Sequence, residues 1–213
     1  MNEFAAGFDP GGKNHFGWCV IESTGSLNVI GKGTTNCADE AFDEMQKCLN
    51  DAKINDEGRL MAAGIDAPLY WARNGKRRKS DSYVYDIYVS SLPSNTVESS
   101  NTSGTVQAVN SLRGACLIQG FFLAKKIKAK YPNCVITETH PKVLMAVSNE
   151  AEQFVKGVRN QHERDALISA WAAVQCLREK KRSISCKKWN IFYLDNKKDV
   201  HTFLKNTIYW WPK

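Results

Sequence analysis

The sequence predicts an α/β fold, in which a mixed five-stranded sheet, built from an antiparallel meander plus parallel strands, is flanked by helices. Apolar runs at residues 4–8, 16–21 and 27–30 are separated by tight turns, which is typical of three antiparallel strands. Apolar residues then recur at helical spacing over 39–52, and a further apolar run follows at 60–65. A right-handed crossover through that helix would place the fourth strand parallel to the first.

The rest of the chain continues this pattern of strands and helices. It predicts a long helix over 106–130, a fifth strand over 134–138, short helices near Val143 and Ala151, and an apolar helix from about 163 to 179. These helices would flank the sheet.

We expect a single domain over residues 1–213, because no internal repeat or long linker appears in the sequence. Residues 71–104 show no clear period and predict a long insertion loop. An extra C-terminal segment, about 187–213, is rich in aromatic residues and predicts an added strand and helix.

The composition excludes several classes of protein. Of the 213 residues, 43% are apolar and 24% are charged, which is close to the globular average and far from a disordered chain. No apolar stretch reaches the roughly 20 residues of a membrane-spanning helix, and the amino terminus lacks the pattern of a secretory signal. Seven cysteines without a CxxC pair indicate reduced thiols rather than a disulfide framework or a zinc site. We therefore expect a cytoplasmic protein with no membrane contact.

Basic residues are concentrated in the later part of the chain. Residues 1–70 carry 11 acidic and 5 basic side chains, whereas residues 71–213 carry 11 acidic and 24 basic ones. This asymmetry favours a polyanionic partner such as DNA or RNA, although basic residues that only keep the surface soluble would give the same pattern. The candidates for contacts with nucleic-acid phosphates are Lys13, Arg73, Lys76, Arg77, Arg78 and Lys79.

Four acidic residues stand where apolar elements begin or end. Asp9, Asp66 and Glu138 each end an apolar run that predicts a strand, and Asp165 opens the last apolar helix. Neighbouring strands lie about 4.8 Å apart, so acids at the same end of parallel strands converge and repel one another. A divalent cation would relieve this repulsion, and Mg²⁺ and Mn²⁺ prefer oxygen ligands. The sequence therefore predicts that these four carboxylates bind metal and are catalytic.

Three of these acids also have a structural explanation. Asp9 could start a turn before a proline and glycines, and Glu138 could form an ion pair with a nearby histidine or lysine. Asp165 could interact only with the dipole of its own helix. His162, one turn earlier, could orient a ligand or water, or it could be an ordinary surface histidine.

Four motifs contain the acids, at 7–12 (GFDPGG), 64–68 (GIDAP), 138–142 (ETHPK) and 162–167 (HERDAL). An Asp on the first strand of a meander, an acid that ends the fourth strand and an Asp on the last helix resemble the ribonuclease H-like fold, particularly its resolvase-type nucleases. Over about residues 4–177, the motifs are similar to the predicted-nuclease family known as domain-of-unknown-function family 429. The resemblance implies a metal-dependent nuclease, with Asp9, Asp66, Glu138 and Asp165 as the ligand candidates.

Three functions fit the sequence. The leading one is a nuclease that hydrolyses phosphodiester bonds by a carboxylate-bound divalent-metal mechanism. A second is an ATP-binding phosphotransferase of the actin or sugar-kinase type, although the chain is short for such an enzyme and shows no second glycine-rich phosphate motif. A third is a non-catalytic module that binds nucleic acid through its basic face. The choice between DNA and RNA and the presence of a homo-oligomer stay open.

Overall fold

A mixed sheet of six strands forms the centre of the fold in the computed structural model, which describes residues 3–52, 60–73, 77–91, 112–181, 190–202, 204 and 207–212. The strands are β1 (Phe4–Asp9), β2 (Phe16–Glu22), β3 (Val29–Thr35), β4 (Leu60–Ile65), β5 (Tyr70–Ala72), β6 (Val135–Glu138), β7 (Val200–Thr202) and β8 (Ile208–Tyr209). The helices are α1 (Ala38–Asp51), α2 (Lys79–Ser91), α3 (Leu112–Lys130), α4 (Pro141–Val147), α5 (Asn149–Phe154) and α6 (Gln161–Lys181), and Ile191–Leu194 form a 3-10 helix.

The sheet topology confirms the predicted meander and the parallel fourth strand. The strand order is β3-β2-β1-β4-β6-β8, in which β1, β2 and β3 are antiparallel neighbours. Strand β4 is parallel to β1 and to β6, and β8 is parallel to β6. The sheet has six strands rather than the predicted five because the C-terminal segment adds β8 at its edge. Strands β5 and β7 form a separate antiparallel pair.

Helices pack on both faces of the sheet. Successive strand residues point to opposite faces, so Ala6 and Phe8 of β1 pack in one apolar cluster with Phe42 of α1. Ala5 packs in the opposite cluster, with Trp171 of α6. The sheet therefore lies between a layer of α1 and α3 and a layer that contains α6. In the described part of the chain, none of the helices combines the length and apolar character needed to cross a membrane.

Glycines let α6 lie directly against the sheet. A Cβ atom at Gly7 of β1 would overlap the carbonyl oxygen of Ala166, and a Cβ atom at Gly64 of β4 would overlap that of Ser169. The thiol of Cys19 on β2 donates a hydrogen bond of 3.3 Å to the same Ala166 carbonyl. This close approach places the first turns of α6 at the carboxyl end of β1.

Two segments differ from the sequence predictions. The expected loop over 71–104 includes the end of β5 and the helix α2, and its residues 74–76 and 92–104 lie outside the described residues. Within α2, only Ser80 and Val84 are fully buried, and Ile87 and Tyr88 pack against the core while partly exposed, so the apolar stripe of this helix is short. The C-terminal segment contains a 3-10 helix and two short strands instead of one strand and one helix.

The other predicted elements agree with the structure. Helices α1, α4, α5 and α6 and strand β6 lie within a few residues of their predicted positions. Helix α3 covers residues 112–130 of the predicted long helix, and residues 106–111 lie outside the described residues.

Candidate functional site

Asp9 and Asp66 lie side by side at the carboxyl edge of the sheet. Phe8 of β1 is paired with Ile65 of β4, and the N–H of Asp66 donates a hydrogen bond of 2.9 Å to the Phe8 carbonyl. Each acid directly follows one of these paired residues. Parallel pairing therefore puts both carboxyl groups at the same end of neighbouring strands.

Helix α6 brings a histidine and a third acid to this edge. The Nδ1 atom of His162 is 2.7 Å from Oδ2 of Asp9, and its Nε2 atom is 2.9 Å from Nδ1 of His15. Because an ionised carboxylate only accepts hydrogen bonds, Nδ1 of His162 carries the proton in its bond to that carboxylate. Asp165 is 3% exposed, and its charge raises the pKa of both Asp9 and Asp66. Three acids from distant segments thus interact electrostatically.

Burial and mutual repulsion disfavour the ionised forms of these acids. Burial, together with the charge of Asp165, raises the pKa of Asp9 to about 6, although the hydrogen bond with His162 acts in the opposite direction. Burial, followed by the charges of Asp9 and Asp165, raises the pKa of Asp66 well above its ordinary value. Burial also raises the pKa of Asp165, although the neighbouring guanidinium of Arg164 lowers it. Such a cluster would be stabilised by a positive charge.

Glu138 forms a buried salt bridge, although it also lines the cleft beside the aspartates and its charge contributes, after burial, to the raised pKa of Asp66. It is paired in register with Ile65, which packs in the layer of α1 and α3, whereas alternation puts Asp9 on the face of α6. Arg78 donates to both of its carboxylate oxygens, at 2.9 Å and 2.6 Å, and the N–H of Leu69 donates to one of them at 3.0 Å. Arg78 thus offsets part of the charge of Glu138, although Asp81 shares the same guanidinium and burial still raises the pKa of Glu138. Metal binding by Glu138 stays a prediction.

Arg78 is a structural residue, which corrects the expectation that it contacts phosphates. Its side chain is 5% exposed. Besides its two bonds to Glu138, it donates two hydrogen bonds to Asp81, at 2.8 Å and 2.5 Å, and one of 2.9 Å to the carbonyl of Tyr70. All five donors of the guanidinium are thus engaged. Arg78 ties the start of α2 to the carboxyl end of β6.

The other predicted phosphate contacts occupy different places. Lys13 is exposed in the turn between β1 and β2, and Lys79 is exposed at the start of α2. Arg73 is exposed after β5, and its Nε donates a hydrogen bond of 3.2 Å to a carbonyl of β7. Arg77 lines a cleft beside the acids, and Lys76 lies outside the described residues. Nucleic-acid contact by Lys13, Arg73, Arg77 and Lys79 stays a prediction.

The cleft at the carboxyl edge of the sheet has a volume of about 590 Å³, which is the size of a small-molecule pocket. Asp9 and Asp66 line it, and their side chains are 14% and 26% exposed. Aromatic side chains from β5, α2 and β8 contribute to its walls, namely Tyr70, Trp71, Tyr85, Tyr88 and Tyr209. The cleft therefore gives a ligand access to two of the three aspartates beside an aromatic surface.

Comparisons of the chain with protein-family models, curated proteins and solved structures found no match.

Two residues of the site were not among the predicted ones. Lys142 lines the cleft, and its positive charge lowers the pKa of Asp9 and Asp66. Its place in the motif that follows β6 could have indicated this role. His15 extends the hydrogen-bonded chain from Asp9 through His162. It lies in the turn before β2, where no signal in the sequence distinguishes it.

Asp9 and Asp66 would suit a Mg²⁺ or Mn²⁺ ion. Within the described ranges, no three His, Cys, Asp or Glu side chains are already gathered as a metal-binding group. Mg²⁺ does not need such a cage, since one or two carboxylates commonly bind it while water and substrate phosphates complete its octahedron. Two carboxyl groups that border a cleft, and whose pKa is raised by burial and repulsion, meet that requirement.

Proposed function

We propose that this protein is a nuclease of the ribonuclease H-like fold that depends on Mg²⁺ or Mn²⁺ and hydrolyses phosphodiester bonds of nucleic acid. One observation carries the proposal. Asp9, Asp66 and Asp165, from three distant segments, interact at one edge of the sheet, where burial and repulsion disfavour their ionised forms. The strand order β3-β2-β1-β4-β6, with α6 packed against it, supports the assignment of the fold.

Asp9 and Asp66 are the proposed metal ligands, with Asp165 as a third carboxylate behind them. When bound, the ion supplies positive charge that polarises a phosphodiester and favours ionisation of water. The chain itself fixes the carboxylates for this role. His162 holds one oxygen of Asp9 by its hydrogen bond of 2.7 Å, and Lys142 offsets part of the negative charge.

The charge distribution supports a nucleic-acid substrate. An acidic cleft by itself repels a polyanion, so the phosphates need cations nearby. The excess of basic residues after residue 70 supplies them, and the exposed side chains of Lys13, Arg73 and Lys79 are available for such contacts. The long-range attraction of these charges would raise the association rate at low salt.

The decisive assay measures cleavage of a panel of DNA and RNA substrates with Mg²⁺, with Mn²⁺ and with a chelator. We expect metal-dependent cleavage by the wild-type protein and its loss in Asp9→Asn and in Asp66→Asn, with folding retained. Asp43→Asn is the matched control, because Asp43 is exposed on α1. Cleavage by both site variants at the wild-type rate would contradict the proposal. Salt-sensitive binding without cleavage would instead support a binding module, and turnover of ATP without cleavage would support a phosphotransferase.

A further inference from the structure

One wall of the cleft is formed by aromatic side chains and an arginine. Tyr85 and Tyr88 lie three residues apart on α2, so they occupy the same side of the helix, and both line the cleft. Trp71 of β5 lines it as well. The guanidinium carbon of Arg77 lies 4.4 Å from the centre of the Tyr85 ring, in a cation–π contact. We call Trp71, Arg77, Tyr85 and Tyr88 the aromatic wall.

Arg77 has a donor whose hydrogen-bonding capacity is unused. Among the buried side-chain nitrogen and oxygen atoms of the described residues, its Nε is the one that has no hydrogen-bond partner. One terminal nitrogen of the same guanidinium donates to the carbonyl of Asp81 at 3.4 Å. A buried polar group without a partner is rare, and an acceptor atom of a ligand would reach this one only after the guanidinium shifts.

The combination of these groups with the acids limits what the cleft would bind. Aromatic rings and guanidinium planes stack on nucleobases, and each stacked base contributes about 1–3 kcal/mol. Asp9 and Asp66 at the same cleft repel an anion that offers phosphate alone. A ligand that also brings a flat ring to the aromatic wall offsets this repulsion, and a cation bound by the acids would let its phosphodiester approach them.

A base that is paired and stacked in a duplex does not offer its face to a protein side chain, whereas an unpaired base does. We infer that the aromatic wall stacks an unpaired nucleobase, so that single-stranded or locally unpaired nucleic acid is the form that enters the cleft. This inference rests on the proposed function for the phosphodiester at the acids. It adds a preference for unpaired over paired nucleic acid, and the acids alone do not determine this preference.

The test is binding measured by fluorescence anisotropy in the presence of a chelator, so that no cleavage takes place. The probes are labelled single-stranded DNA and RNA oligonucleotides and fully paired duplexes of the same sequences. We expect the single strands to bind more tightly and Tyr85→Ala to weaken that binding about 5- to 150-fold. Tyr85→Trp should retain it. Tyr83→Ala is the matched control, because Tyr83 is exposed on the same helix and does not line the cleft.

Several outcomes would overturn the inference. These are equal binding of duplex and single strand, equal effects of the Tyr85 and Tyr83 variants, and displacement of the strand by a free mononucleotide at equal concentration. If circular dichroism shows that Tyr85→Ala is unfolded, Tyr85→Leu is used in its place, because leucine keeps an apolar side chain without an aromatic ring. The two proposals fail separately. Preferential binding of single strands without metal-dependent cleavage would contradict only the proposed nuclease activity. Metal-dependent cleavage at the same rate for single strands and duplexes, unchanged by Tyr85→Ala, would contradict only base stacking on the aromatic wall.

Discussion

Replacing Asp9 by asparagine should stabilise the folded protein at neutral pH while it abolishes the proposed activity. The pKa of Asp9 is raised from an ordinary value of 3.8 to about 6, mainly by burial. Between these values, the folded state binds more protons at this group than the unfolded state does. The contribution of Asp9 to the free energy of unfolding therefore falls as the pH rises from about 4 to 6, and it stays low above that range.

The size of the effect follows from the pKa of Asp9 in the folded and unfolded states. A tenfold difference in proton affinity corresponds to about 1.36 kcal/mol, so the ionised Asp9 lowers the free energy of unfolding by at most about 3 kcal/mol relative to its neutral form. Asparagine resembles the neutral form, and its carbonyl oxygen can still accept a hydrogen bond from His162. We expect Asp9→Asn to gain about 1–3 kcal/mol at pH 8 and almost nothing at pH 4.

Urea unfolding followed by circular dichroism at pH 4 and pH 8, with a chelator present, measures this difference. Asp43→Asn is again the control, and its effect should stay within about 0.5 kcal/mol at both pH values. An Asp9→Asn variant that is no more stable than the wild type at pH 8 would refute the claim that the ionised carboxylate is disfavoured in the fold. A gain of equal size at both pH values would refute its electrostatic origin.

Two further predictions concern the groups that position the site, and the same urea assay checks both. Arg78→Met should lower the free energy of unfolding by about 3–5 kcal/mol, because it leaves Glu138 buried without its partner. Adding Glu138→Gln to this variant should restore part of the loss. An Arg78→Met variant with a free energy of unfolding within about 1 kcal/mol of the wild type would contradict the structural role of the pair. Gly64→Ala should cost about 3 kcal/mol or more, because its Cβ would overlap the Ser169 carbonyl, whereas Gly12→Ala, with open space around it, should be neutral.

The sequence could predict the placement of Asp9 and Asp66 because the relevant signals are local. Each acid ends an apolar run, and the intervening helix implies a crossover that makes the two strands parallel. The partner of Glu138 could not be predicted in the same way. Arg78 is 60 residues away in the chain, and a basic cluster has the same composition whether its members are buried or exposed. Only the register of β6 and the position of α2 bring the two side chains together.

Helix α2 shows the same limit for the cleft. Val84, Ile87 and Tyr88 of this helix contact the core over little more than one turn, and Tyr85 and Tyr88 line the cleft. A pattern search for core residues therefore predicts a loop where the structure has the aromatic wall. The signal that was available is the frequency of tyrosine among residues 83–88, which has no meaning until the fold places α2 beside the acids.

The aspartates at the carboxyl edge of the sheet are proposed to bind a divalent cation. Mn²⁺ binding to the full chain can be measured by electron paramagnetic resonance with and without an uncleavable phosphorothioate oligonucleotide. We expect the wild type and Asp43→Asn to bind the ion, with higher affinity when the oligonucleotide is present, and we expect Asp9→Asn and Asp66→Asn to lose it. No binding under either condition, or unchanged binding by both site variants, would contradict the claim.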